Sequence, residues 1–81
     1  MAALADRDQM ERGLRRLTSA QQTILVLHFY LGLAPSELAE TLDIPVGTAK
    51  SQLHYAVDAL RAALAAEERR SNRLVREGRS A

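Results

Sequence analysis

Apolar residues recur along this chain at steps of three and four, the spacing of one face of an α-helix. The first stripe is Met10, Leu14 and Leu17, preceded by Asp6 and Asp8, either of which can cap a helix that starts there. Gly13 weakens this helix by about 1 kcal/mol relative to alanine. Arg12, Arg15 and Arg16 lie off the stripe and are expected in solvent. A second helix starts at Thr18-Ser19-Ala20-Gln21, a capping box in which the Thr18 hydroxyl accepts from the Gln21 amide and the Gln21 side chain reaches back. It runs to about Leu31. Its core sequence, TILVLHFYL, is apolar on nearly every side and predicts a central, mostly buried helix. The run is short and rich in β-branched and aromatic residues, so a strand competes. The capping box and the helical neighbours favour the helix, and Gly32 ends it where a left-handed residue is wanted.

Pro35 suits the first turn of a third helix, which buries Leu38, Ala39 and Leu42 and turns Glu37 and Glu40 outward. Asp43 takes the turn, where a short polar residue tolerates a left-handed backbone, and Ile44 anchors the corner. Pro45 opens a fourth helix with an inward stripe of Val46, Ala49, Leu53, Ala56, Leu60 and Ala63. Its other face carries Thr48, Lys50, Ser51, Gln52, His54, Tyr55 and Asp58. This helix is expected to fade near Ala66. Residues 67–81 then form a charged tail with Leu74 and Val75 as its apolar anchors, a frayed helix or a disordered segment. The fold class is all-α: a compact four-helix domain over residues 1–66, followed by that tail.

Ala34–Leu60 within this pattern is a short helix, a tight turn and a longer helix. That layout is a helix-turn-helix, whose second helix lies in the DNA major groove. The charge distribution complicates this reading. The net charge is +1, but Met1–Leu17 carries +1, Thr18–Leu60 carries −3 and Arg61–Ala81 carries +3. The helix-turn-helix is therefore the acidic part, and the strongly basic face typical of DNA binding is missing.

With 81 residues the chain makes one domain, and a domain of this size buries only about 60–65% of its unfolded surface. There is no cysteine, hence no disulfide frame or thiolate metal site. No apolar run approaches the roughly 18–20 residues that span a bilayer, and charges come too early for a signal peptide. The expectation is a soluble, cytoplasmic protein with no membrane association.

The polar face of the fourth helix supplies the candidate chemistry. Gly47 and Thr48 sit at its amino end, where free amides and the helix dipole favour a phosphate, although plain capping would look the same. Gln52 can read adenine through N6 and N7, or be a neutral surface residue. His54 can donate to a phosphate or a base, though a lone surface histidine is more often simply solvated. It has no second ligand at metal spacing. Tyr55 can stack on the DNA backbone or cover a helix seam. Ser51 and His54 lack an acid to orient the histidine, so no catalytic set is visible. Neither enzymatic activity nor a cofactor is expected.

The segments LVLHFYLGL, SELAETLDI and IPVGTAKSQLHYA resemble region four of bacterial extracytoplasmic-function sigma factors, over about Met10–Leu64. The resemblance implies promoter recognition in transcription initiation, at the element centred about minus thirty-five, read from the major groove. It also implies docking on the β-subunit flap of core RNA polymerase and control by an anti-sigma factor. Lys50 and Ser51 match the motif residue for residue, which implies a phosphate or guanine contact for Lys50 and a nearby hydrogen bond for Ser51. The chain departs from the family's arginine-rich pattern: Gln52, Tyr55, Val57 and Asp58 stand where basic residues are common, and His28 where arginine is frequent. Whole family members also carry an N-terminal polymerase-gripping region, so the chain is expected to be either an excised domain, the favoured reading, or a shortened relative. The competing reading is a sigma-like protein-interaction module that binds an anti-sigma factor, the flap or itself with little DNA contact.

Overall fold

The computed structural model describes residues 7–80, with side chains described as far as Leu74. Helix α1 spans Arg7–Arg15 and α2 spans Ser19–Leu25, running on into a π-helical turn over Val26–Tyr30. Helix α3 spans Pro35–Leu42 and α4 spans Val46–Ser80. No strand occurs among the described residues, as the helical spacing predicts. The spine is α4, and α1, α2 and α3 each pack against it.

The core is made of aliphatic side chains meeting small ones. Ile24 and Leu25 of α2 and Leu38 and Ala39 of α3 close on Ala49 and Ala56 of α4, with Leu14, Leu17, Leu42, Ile44, Leu53 and Leu60 packed around them. The alanines on the inward stripe of α4 let the leucines of its neighbours reach its backbone. Gly13 does the same for α1: a Cβ there would stand 2.8 Å from Leu64 Cδ2. The glycine that weakens α1 locally is thus the point where α1 closes on α4.

The corners are held by side-chain caps. Thr18 and Gln21 form the predicted box, each bond 3.1 Å long. Gln22 Nε2 donates to the carbonyls of Leu14 (2.7 Å) and Leu17 (3.2 Å), satisfying acceptors freed where α1 ends. At the far end of α2, the Leu31 amide reaches back to Val26 O at 3.3 Å, the i→i+5 bond of a π turn. Gly32 then turns at φ 73°, and His28 Nδ1 meets Leu33 O at 2.8 Å. A carbonyl can only accept, so Nδ1 carries the proton. Glu37 Oε1 accepts from the Ala34 amide at 2.7 Å, the return half of a capping box. Asp43 ends α3 in the left-handed region at φ 58°, as expected for this turn.

Several sequence expectations are corrected. The TILVLHFYL helix is buried only at Ile24 and Leu25; Phe29 is 63% and Tyr30 76% exposed, and Val26 and Leu31 are exposed too. The π turn shifts the register there, and no described element covers that side. Val46 leaves the inward stripe and is exposed, because it opens α4 ahead of the first packed residue, Ala49. Pro45 precedes the helix and accepts from the Ala49 amide at 3.0 Å. Glu37 caps α3 rather than merely facing solvent. Asp8 lies in the first turn of α1, while Asp6 falls outside the described residues.

The largest correction concerns residues beyond Ala66. Helix α4 does not fade there but continues to Ser80, and the molecule extends 54 Å along its long axis. Arg12 and Arg16, expected in solvent, explain its next turn. Glu67 continues the inward stripe four residues after Ala63 and is buried. It accepts from Arg12 Nε at 2.9 Å and Arg16 Nε at 2.7 Å, with Arg70 Nη1 at 3.7 Å. The Arg16 hydrogen bond, opposed by burial and reinforced by Arg12, holds the Glu67 carboxyl below the usual carboxylate range.

Candidate nucleic-acid interface

The turn at Asp43, Ile44 and Pro45 sets the first three turns of α4 beside α3. Ile44 reinforces the turn, its amide donating to Ala39 O at 3.0 Å while its side chain packs on the core. From there the helical period divides α4 into two faces. Ala49 and Ala56 are fully buried and Leu53 is half-buried, whereas Gly47, Thr48, Lys50, Ser51, Gln52, His54 and Tyr55 are all exposed. Steps of three and four bring Gly47, Lys50, Ser51, His54 and Tyr55 onto one surface and set Thr48 and Gln52 on its flank. Residues 47–55 cover about 12 Å of helix axis at 1.5 Å per residue, and the major groove is about 12 Å wide.

The amino end of this surface is open. Pro45 has no side-chain acceptor to cap the helix, no acid lies in the first turn, and no described residue stands within 4 Å of where a Gly47 Cβ would be. The first-turn amides therefore point outward without a carboxylate competing for them. Tyr55 is 66% exposed, so it does not cover a helix seam; its ring meets His54 edge-on, centroids 6.0 Å apart.

Electrostatically the surface is thin. Lys50 is exposed and forms no ion pair among the described residues. Asp58, one turn past His54 on the same face, meets both neighbouring side chains: His54 Nε2 lies 3.2 Å from Asp58 Oδ2, and Arg61 Nη1 lies 3.8 Å from Oδ1. This contact of Asp58 with both neighbours is the functional detail the sequence reading missed, and it corrects the expectation that no acid stands beside His54. Its signal is the i,i+4 and i,i+3 spacing of the three residues.

A second exposed surface is apolar. Met10 and Leu14 of α1, Leu25, Val26, Phe29 and Tyr30 of α2 and its π turn, and Leu60 of α4 line an apolar cleft of about 270 Å³. Among the described residues no cluster of His, Asp or Glu is suited to a metal ion, and no helix is long and apolar enough to cross a membrane.

The family model for sigma-70 region 4 matches residues 7–60. Among curated proteins the chain is similar to the ECF RNA polymerase sigma factor SigL of Mycobacterium tuberculosis, in strains H37Rv, CDC 1551 and Erdman. Each match is 37% identical over 62 residues, covering 76% of this chain and 35% of the relative. The chain thus spans about a third of the length of these relatives. No solved structure gives a significant match.

Proposed function

Because the chain belongs to the sigma-70 region 4 family, we propose that it reads promoter DNA during transcription initiation, at the element about minus thirty-five, as one part of an RNA polymerase holoenzyme. The observation that carries this reading is the exposed polar surface of Gly47, Lys50, Ser51, His54 and Tyr55, flanked by Thr48 and Gln52, on a helix whose opposite face is locked into the core. Open amides at Gly47 and Thr48 receive a backbone phosphate. Lys50 contacts a phosphate or a guanine edge, with Ser51 hydrogen-bonding beside it. Gln52 favours adenine, His54 donates to the backbone or a base, and Tyr55 stacks against the sugar-phosphate chain.

The weak charge of this surface suits a reader that does not bind alone. One or two phosphate contacts give a salt slope of about −1 to −2 on a logarithmic scale, and the polymerase supplies the remaining attraction. The apolar cleft and the exposed Phe29, Tyr30 and Leu31 favour a protein contact at the same time, with the β-subunit flap or an anti-sigma factor as occupant. These partners belong to a cytoplasmic protein. The test is promoter footprinting with holoenzyme assembled around the full-length sigma factor carrying this domain. Lys50→Ala should weaken protection of the upstream element while core polymerase is still bound. Unchanged protection would refute DNA reading and leave the interaction module as the domain's role. Phe29→Ser with Tyr30→Ser should instead weaken retention on core polymerase or on the anti-sigma factor.

A further inference from the structure

The distal part of α4 carries a second charged surface that promoter reading does not use. Arg69, Arg70, Asn72 and Arg73, with Ala66 one turn before them and Arg16, which follows α1, line a groove of about 500 Å³. Its wall is held in place by Glu67, which is 4% exposed and bonded to Arg12 and Arg16. Both bonds use Nε. The Nη groups of those arginines add further donors, and their side chains are 36% and 44% exposed. Arg12, Arg16, Arg69, Arg70 and Arg73 against Glu67 and Glu68 leave a local net charge of +3, in a chain whose total is +1.

We propose that this groove docks an acidic segment of a protein partner, a short run of Asp or Glu lying across α4 between Ala66 and Arg73. Charge complementarity sets the sign, and guanidinium forks match carboxylates in geometry as well as charge. Residues 66–73 span about 10 Å of axis, room for two or three carboxylates on an extended or helical segment. Glu67 orders Arg16 before any partner arrives, which lowers the entropy lost on binding. Promoter DNA is the less suitable occupant. Arg69 lies 19 residues beyond Lys50, about 28 Å along the helix, whereas the groove that receives Lys50 is about 12 Å wide. A duplex engaged at Lys50–Tyr55 ends short of the arginines.

The test is a fluorescence-anisotropy titration of a labelled deca-glutamate peptide with the 81-residue chain at low salt. Arg69→Glu with Arg73→Glu should weaken binding at least about tenfold, whereas Arg7→Glu with Arg61→Glu, the same charge change outside the groove, should weaken it less than about threefold. Arg69→Gln with Arg73→Gln, which reverses no charge, should fall between the two, and circular dichroism checks that every variant keeps its helicity. Equal losses in the two charge-reversal pairs would mean attraction by net charge alone and would overturn the proposal. So would displacement of the peptide by duplex DNA of unrelated sequence at matched charge concentration, which would make the groove a phosphate-backbone site.

Discussion

Leu38→Ala should come close to unfolding the domain. Leu38 is fully buried, in a cluster with Ile24, Leu25, Ala39, Ala49 and Ala56. Truncation to alanine removes three carbons, about 2.4 kcal/mol at roughly 0.8 kcal/mol per methylene. A cavity term is added because the neighbours cannot collapse inward. Ala49 and Ala56 are short side chains on a rigid helix, and Ile24 and Leu25 are fixed from behind by the rest of α2. Measured Leu→Ala costs of about 2.7–5 kcal/mol span this situation, and the rigid surroundings place Leu38 at about 3–4 kcal/mol. Domains carry roughly 0.05–0.15 kcal/mol of stability per residue, so 81 residues hold about 4–12 kcal/mol. The substitution removes a quarter or more of that, and up to nearly all of it. At about 4–8 °C per kcal/mol for a domain of this size, Tm should fall by 12 °C or more. Urea melts followed by helical circular dichroism measure it, with Leu31→Ala as the exposed control at less than about 0.5 kcal/mol. A Leu38→Ala cost below about 1.5 kcal/mol would refute the premise that α3 is clamped to α4 through this side chain.

Gly13→Ala offers a sharper contrast between local and tertiary reasoning. An exposed helix glycine would gain about 1 kcal/mol on this change, but the new Cβ meets Leu64 Cδ2 at 2.8 Å, so urea melts should show no gain or a loss; the full gain would mean that α1 does not close on α4 there. The Glu67 carboxyl is held below its ordinary value in the folded chain. Its contribution is therefore fully present above the unfolded carboxyl pKa and is lost as pH falls through the lower folded value. Replacing Glu67 with glutamine should flatten the acid limb of a Tm-against-pH curve, and parallel acid limbs would contradict the buried cluster. Asp58→Asn should release Arg61 and His54 and remove one negative charge from the reading surface. DNA affinity should then rise and the salt slope steepen by about one unit; an unchanged slope in a salt titration would show that Asp58 does not face the duplex.

Much of the fold is legible in the chain because the relevant information is local. The Thr18–Gln21 box, the left-handed turns at Gly32 and Asp43, and the Leu38–Ala39–Leu42 face of α3 depend on a few consecutive residues, and all stand as predicted. The polar face from Gly47 to Tyr55 is equally a matter of helical period. The role of Glu67 needed a partner 55 residues away in Arg12 and 51 in Arg16. A pattern reading sees charged residues in each place and assigns both to solvent. Its one hint was an acid four residues past Ala63, where the inward stripe continues.

Sequence alone determined which residues up to Ala66 become helices, where those helices turn, and which face of α4 stays polar and exposed, because caps, glycine and proline geometry and the 3.6-residue period act within a few positions. Tertiary structure decided what those faces meet. Gly13 became the contact between α1 and α4, Val26, Phe29, Tyr30 and Leu31 were left uncovered, and Glu67 became a buried anchor that accompanies α4 past the end its composition suggested. Each of these outcomes depends on which side chain arrives opposite from a distant part of the chain. Burial and ion pairing are properties of pairs, and one-dimensional spacing carries only half of each pair.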